Sequence, residues 1–237
     1  MTVKPEDVAI FCLCYGPHMD LHERLFNSLK RSVPKGVWVF PWLNEVPEGT
    51  INIFGSHESR NWQLRNMYSD RNEPKYKVMR KLFHDQALQS AITPFKWFVW
   101  FDDDSHVIKD DWWEKTTNFL AEHEKENVCY VGQTWLWHWR PGQWDFVTRA
   151  KWYKNKPPEL IKGRPGIKFA TGAYWWLRTD VVKLLDWPDE RLSHNGGDTL
   201  LGEAIRQNGL PRHNFSYGVK VNDARRRGRS DKPAGMV

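Results

Sequence analysis

Three consecutive aspartates, Asp102, Asp103 and Asp104, follow an uncharged and mostly aromatic run, Trp97-Phe98-Val99-Trp100-Phe101. Carboxylates are seldom buried unless they are paired or bound to metal. The acids are therefore expected where that run leaves the interior. If the extended geometry continues, Asp102 and Asp104 point the same way. Two hard oxygen donors side by side suit Mg²⁺ or Mn²⁺ that also holds a diphosphate. Aspartate is also common in turns and caps, and that reading stands beside the metal one. A second acid, Asp198, follows His194-Asn195-Gly196-Gly197 and opens an apolar segment that stops at Asn208-Gly209. It reads as a helix cap and, compatibly, as a general base presented on a rigid helix end. Gly172 lies in Ala170-Thr171-Gly172-Ala173, either as a turn glycine or as a point where backbone approaches a ligand closely. His213 is either structural or a third ligand for the metal held by the aspartates.

The elements that must carry these residues are legible in outline. Residues 97–101 lack polar alternation and read as a strand covered on both faces. In open α/β sheets ligands bind at the carboxyl ends of such strands. Residues 8–13 and 37–42 read as further strands, and 50–54 as a third short one. A helix begins at Asp20, with Glu23 at capping-box spacing and Leu21, Leu25, Phe26 and Leu29 along one side. This is the order of a βαβ unit and a parallel sheet. Helices are expected over 58–68, 75–91, 110–123 and 179–185, and strands over 128–134 and 168–177. The helix at 75 opens with Lys75, Lys77, Arg80 and Lys81, either a solvated face or phosphate contacts. Residues 156–166 read as a basic loop able to fold over a diphosphate. The fold class is a single α/β domain, residues 1–222, with a mostly parallel central sheet flanked by helices. A basic tail, 223–237, carries Arg225-Arg226-Arg227 and suits polyanions.

Composition narrows the partners. The 237 residues are 40% hydrophobic and 27% charged, with a net charge of +6, which favours an anionic partner. The 15 tryptophans are an unusual number, and many of them must be core. Trp135, Trp137 and Trp139 alternate and would share one strand face, either as buried packing or as a platform for stacking an acceptor. Trp175 and Gly172 join Trp135 and Trp137 as candidate acceptor contacts. Three cysteines make no disulfide framework, so a reducing cytoplasm is expected, with Cys12 and Cys14 as buried thiols. No leader pattern and no apolar run near the roughly 18 residues of a membrane span are seen, so no membrane partner is expected. No Walker-type Gly-Lys loop is present, which argues against phosphoryl transfer.

Taken in order, these motifs resemble those of GT-A-fold glycosyltransferases, most closely the fringe-type and β-1,3-galactosyltransferase families, over about residues 8–215. The acidic motif of those families is matched by Phe101-Asp102-Asp103-Asp104-Ser105-His106-Val107, and their Thr-Gly turn by Ala170-Thr171-Gly172-Ala173. Their late acid before a helix is matched by Gly197-Asp198-Thr199-Leu200-Leu201-Gly202, and their late histidine by His213. The match departs in its three thiols, since those eukaryotic proteins are membrane-anchored, lumenal and disulfide-bonded, and in Gly197-Asp198 where two acids are frequent. The resemblance implies metal-dependent transfer of a sugar from a nucleoside diphosphate, UDP favoured, to a hydroxyl with inversion. Asp102, Asp104 and His213 would hold the metal. Tyr15, Gly16, Asp103, Lys77 and Arg80 would hold the donor, and Asp198 would be the base. The charge and the expected cytoplasmic location suggest 5-hydroxymethylpyrimidine in DNA as acceptor, as in phage enzymes. A cell-surface polysaccharide or protein is the rival acceptor, and a non-catalytic nucleic-acid or carbohydrate-binding module is the rival class.

Overall fold

The computed structural model describes residues 3–57, 61–62, 68–69, 73–85, 95–138, 147–192 and 196–222. The uncharged runs form the middle of one sheet. β1 (Val8–Tyr15) lies between β2 (Trp38–Asn44) and β4 (Trp97–Asp102), parallel to both. Beyond β2 lies the two-residue β3 (Tyr68–Ser69). On the other side β4 pairs with β8 (Arg164–Arg178), β8 with β6 (Tyr130–His138), and β6 with β9 (Arg212–Asn214). β8 alone on this path runs against its neighbours, so the sheet is mostly parallel. β5 (His106–Val107) and β10 (Val219–Lys220) form a separate small ladder.

Alternation along the central strands feeds two cores. Phe11, Phe98, Trp100 and Trp175 face one layer, with α3 (Lys75–His84), α5 (Thr179–Leu185) and α6 (Gly197–Gln207). Ile10, Val99, Phe101 and Trp176 face the other, with α1 (Met19–Ser32), α2 (Glu48–Gly55) and α4 (Trp112–Glu122). Strands covered on both faces need no polar positions, which is why their sequences show no alternation. Among the described residues no helix is long and apolar enough to cross a membrane.

Several expectations change. Residues 50–54 are helical, not a strand: Thr50 and Phe54, one helical turn apart, are buried while Glu48 and Asn52 are exposed. α1 starts with His18 at its cap position and no side-chain cap, so the box from Asp20 to Glu23 does not form. Residues 156–166 contain a hairpin: β7 (Glu159–Ile161) pairs with β8 through Lys162 and Gly163, both at positive φ. Two positive-φ residues give the tight turn that matches strand twist. The helices at 179–185 and from 197 stand as expected. The expected helix at 58–68 falls mostly outside the described residues, as do 86–91, Trp139, His194 and the basic tail at 223–237.

The first turn after β4 is anchored from below. Asp103, one residue past Asp102, points to the opposite face of the sheet. Its Oδ2 accepts from the Tyr15 amide at 2.9 Å and lies 3.1 Å from His22 Nε2. His22 Nδ1 in turn shares a 2.8 Å hydrogen bond with Thr50 Oγ1, and all three side chains are fully buried. Leaving a buried hydrogen-bonding group without its partner costs about 1–3 kcal/mol, against about 0–1 kcal/mol for an exposed ion pair. Urea unfolding should therefore show a loss of that larger size for Asp103→Ala. Asp110→Ala, which breaks only the exposed pair with Arg31, should change stability by less than about 1 kcal/mol.

Candidate active site

The site is assembled where β4 ends, on the face opposite Asp103. Asp102 closes β4, and its Oδ1 accepts from the Trp100 indole at 2.8 Å. Its Oδ2 accepts from Lys75 Nζ at 2.6 Å. Lys75 is the first residue of α3, which starts after Pro74. The same ammonium donates to the Gly172 carbonyl at 2.6 Å, and the Gly172 amide donates to Asp198 Oδ2 at 3.1 Å. One short chain of contacts thus joins the acid of the first motif to the acid of the second.

Gly172 can offer both backbone groups because β8 leaves its ladder there. Gly132 pairs with Trp175 and Thr134 with Ala170, so the single residue Gln133 stands opposite four residues of β8. Such bulges re-aim backbone next to active sites. A Cβ on Gly172 would lie 3.2 Å from Asp198 Oδ2 and 3.3 Å from Lys75 Nζ, tight enough to press both charges aside. Gly197 has a harder constraint. A Cβ there would stand 2.2 Å from Tyr76 Cζ, because the Tyr76 hydroxyl accepts from the Asp198 amide at 2.7 Å. Gly196, at φ 91°, turns the chain into α6 just before it. Gly197 is therefore a packing requirement of the tyrosine that seats Asp198, and Gly196 a requirement of the backbone turn.

Burial raises the Asp198 pKa above the ordinary carboxylate value, opposed by the Lys75 charge and by the Thr199 and Gly172 amides. A carboxylate so held is more basic than an exposed one while still within reach of a cation. Asp104 lies largely buried in the same turn, closed by the Ser105 amide donating to the Asp102 carbonyl. Asn222 staples this turn to the bulge, its amide donating to Ser105 Oγ and its side chain to Thr171 Oγ1.

The sequence matches no protein-family model and no curated protein. Solved structures do match. A mannosyltransferase from Pyrobaculum calidifontis, in complex with GDP-Man and Mn²⁺, superposes with a TM-score of 0.57 at 14% identity, over 91% of this chain and 57% of its own. Core-mannan synthase A from Aspergillus fumigatus, in its Mn/GDP form, gives 0.50 at 10% identity, over 88% and 72%. The fold is that of GT-A glycosyltransferases. This chain spans a little over half the length of the first of these proteins. Within the GT-A fold, Asp102, Asp104, Gly172 and Asp198 are brought to one sheet edge as the motif order implied, and Tyr15 and Gly16 end β1 beside them. The resemblance holds at the level of the fold; the two structures named are a mannosyltransferase and a core-mannan synthase, and neither is a fringe or galactosyltransferase protein.

Other expected site residues are elsewhere. His213 shares a face with Val131, on the α4 side of the sheet, and is three strand spacings from β4, roughly 14 Å. It is not a ligand partner for Asp102. Asp103 faces α1 and is an anchor, not a donor contact. Trp175 is 1% exposed and stacks on Trp100, so it is core rather than acceptor surface. Arg80 binds the carbonyls of Asp186 and Pro188 and the Asp186 carboxylate, fixing the turn after α5. Lys77 is exposed, turned about 200° around α3 from Lys75. Trp135 and Trp137 are exposed along β6, on one face, where it extends with β8 beyond the bulge.

Sequence reasoning passed over Lys75 as an individual, and Tyr76, Trp100 and Asn222 as site residues. The one signal available was Lys75 following Pro74 at a helix start. Lys75→Met should lower stability by roughly 1.5–3 kcal/mol, the range for losing hydrogen bonds to a charged group. It should also raise the Asp198 pKa further, since the nearest positive charge is gone. Urea unfolding and a carboxyl ¹³C titration read the two effects separately.

Proposed function

We propose that this protein is a metal-dependent glycosyltransferase that moves a sugar from a nucleoside diphosphate to an acceptor hydroxyl. The observation that carries the reading is the Asp102–Lys75–Gly172–Asp198 network at the carboxyl edge of a GT-A sheet. A donor site and a base are there held within one set of contacts.

The donor set suits a hard divalent cation, Mn²⁺ or Mg²⁺. Asp102 and Asp104 supply carboxylate oxygens from one turn, and Lys75 shows that a cation is favoured beside Asp102. After its bonds to Lys75 and Trp100, each Asp102 oxygen retains a lone pair for a further contact. Such ions are commonly held by one or two carboxylates together with substrate phosphates. When bound, the ion would offset the charge that develops on the departing diphosphate. Asp198, made more basic by burial, takes the proton of the acceptor hydroxyl as it attacks the anomeric carbon opposite the diphosphate, which inverts that centre. Lys75 holds Asp102 toward the donor and keeps Asp198 ionised. Trp135 and Trp137 offer flat apolar faces on which an acceptor stacks.

The first donors to try are GDP-mannose, after the ligand of the Pyrobaculum protein, and UDP-sugars, which the sequence motifs favour. Acceptor arms are duplex DNA carrying 5-hydroxymethylpyrimidine, small oligosaccharides and peptides. Mn²⁺-dependent release of the nucleotide with one donor is expected. Asp104→Ala and Asp198→Asn should each reduce turnover by about 10²-fold or more. Absence of turnover with every donor, or variants that behave as the parent does, rejects the transferase and leaves a binding module.

The pH profile is a separate test. The base works deprotonated, and the folded pKa of Asp198 is raised. The acid limb of kcat/KM should therefore lie above the ordinary aspartate range, and activity should fall as pH drops through it. In Asp198→Asn that limb should vanish from the residual rate.

A further inference from the structure

His213, which the sequence placed at the active-site metal, belongs to another cluster. His123 caps the end of α4, and Glu126 follows in the next turn. His213 reaches them from β9, 90 residues later in the chain. One carboxylate bridges both rings: Glu126 Oε1 is 2.7 Å from His123 Nδ1, and Oε2 is 3.5 Å from His213 Nε2. The imidazole centroids are 4.5 Å apart, and one ligand atom from each residue lies within 4.8 Å of the other two. Phe119 packs on the His123 ring at 4.4 Å and on the His213 ring at 5.8 Å, and itself stacks on Phe215 at 4.2 Å. This apolar floor limits the rotamers of both rings. The backbone of Glu126 is fixed by its amide donating to the His123 carbonyl at 3.1 Å.

We infer that His123, Glu126 and His213 form a second metal site, distinct from the aspartate turn and suited to Zn²⁺. Two imidazoles and one carboxylate are the donor set of a borderline ion, whereas Mg²⁺ and Mn²⁺ prefer oxygen ligands. Three protein ligands leave the fourth tetrahedral position to water. The ion replaces the protons shared between ring nitrogens and carboxylate, and the three groups need close by only about an ångström to meet ordinary ligand spacing. The site ties the end of α4 to β9. From β9 the chain runs through β10 to Asn222, which touches Ser105 and Thr171 at the candidate active site. Zinc there stabilises the strand that leads into that staple.

The test is zinc calorimetry on the metal-stripped full chain and on Asp104→Ala, with Co²⁺ absorption and melting temperature as further readouts. One equivalent of Zn²⁺ should bind in both. Co²⁺ should give the intense visible bands of a tetrahedral site, and the melting temperature should rise with Zn²⁺. His213→Ala and Glu126→Gln should each weaken binding by roughly ten-fold or more. Glu126 is exposed, so Glu126→Gln serves as the variant with an undisturbed fold, checked by its metal-free melting temperature. Absence of zinc binding, or binding unaffected by both substitutions, overturns the site and leaves a hydrogen-bonded tie between α4 and β9.

Discussion

A single ammonium group holds the candidate site together. Asp102 and Asp198 come from chain positions nearly a hundred residues apart, and both are largely removed from solvent. Burial raises the cost of ionising Asp198. Lys75 offsets that cost by its charge toward Asp198, and it bonds Asp102 directly. The surrounding features all serve this placement. The bulge in β8 turns the Gly172 carbonyl toward the lysine and its amide toward Asp198. Tyr76, the neighbour of Lys75 on α3, seats the helix that carries Asp198.

The aspartate triplet is divided by the two-residue period of a strand. Asp102 emerges on the face of α3 and α6, and Asp103 on the face of α1 and α2. Identical side chains in sequence thus do different work. One meets the cation of the site, and the other, fully buried against His22 and the Tyr15 amide, fixes the height at which the turn leaves the sheet. A displaced Asp103 would move Asp102 and Asp104 with it.

Much of this was legible in the residues, and the rest failed for identifiable reasons. Five uncharged residues ending in acids located a central strand and its carboxyl edge, because burial on both faces removes alternation. Gly-Gly before Asp198 located a helix mouth. Thr50 to Phe54 misled because partial alternation over five residues fits either period, and the buried pair with His22 that favours a helix is a tertiary contact. Trp175 and Trp135 look alike in sequence; only the position of the strand segment, central or protruding, separates a core ring from an exposed one. Lys75 was read within a charged stretch because its partners, Asp102 and Gly172, are distant in the chain. His213 was read from motif order, which does not say on which face of the sheet a short strand presents its side chain.

β8 is the long strand that runs against all its neighbours, and it is inserted between β4 and β6, both of which precede it in the chain. Those two strands do not pair with each other; β8 bonds to both. Contacts across such sequence separations are slow to form, because loop closure must come first. The bulge that carries Gly172 lies within β8, so the site has no existence in any shorter nascent chain. Until β8 is paired, the chain lacks the Gly172 carbonyl and amide that join Asp102 and Asp198 through Lys75.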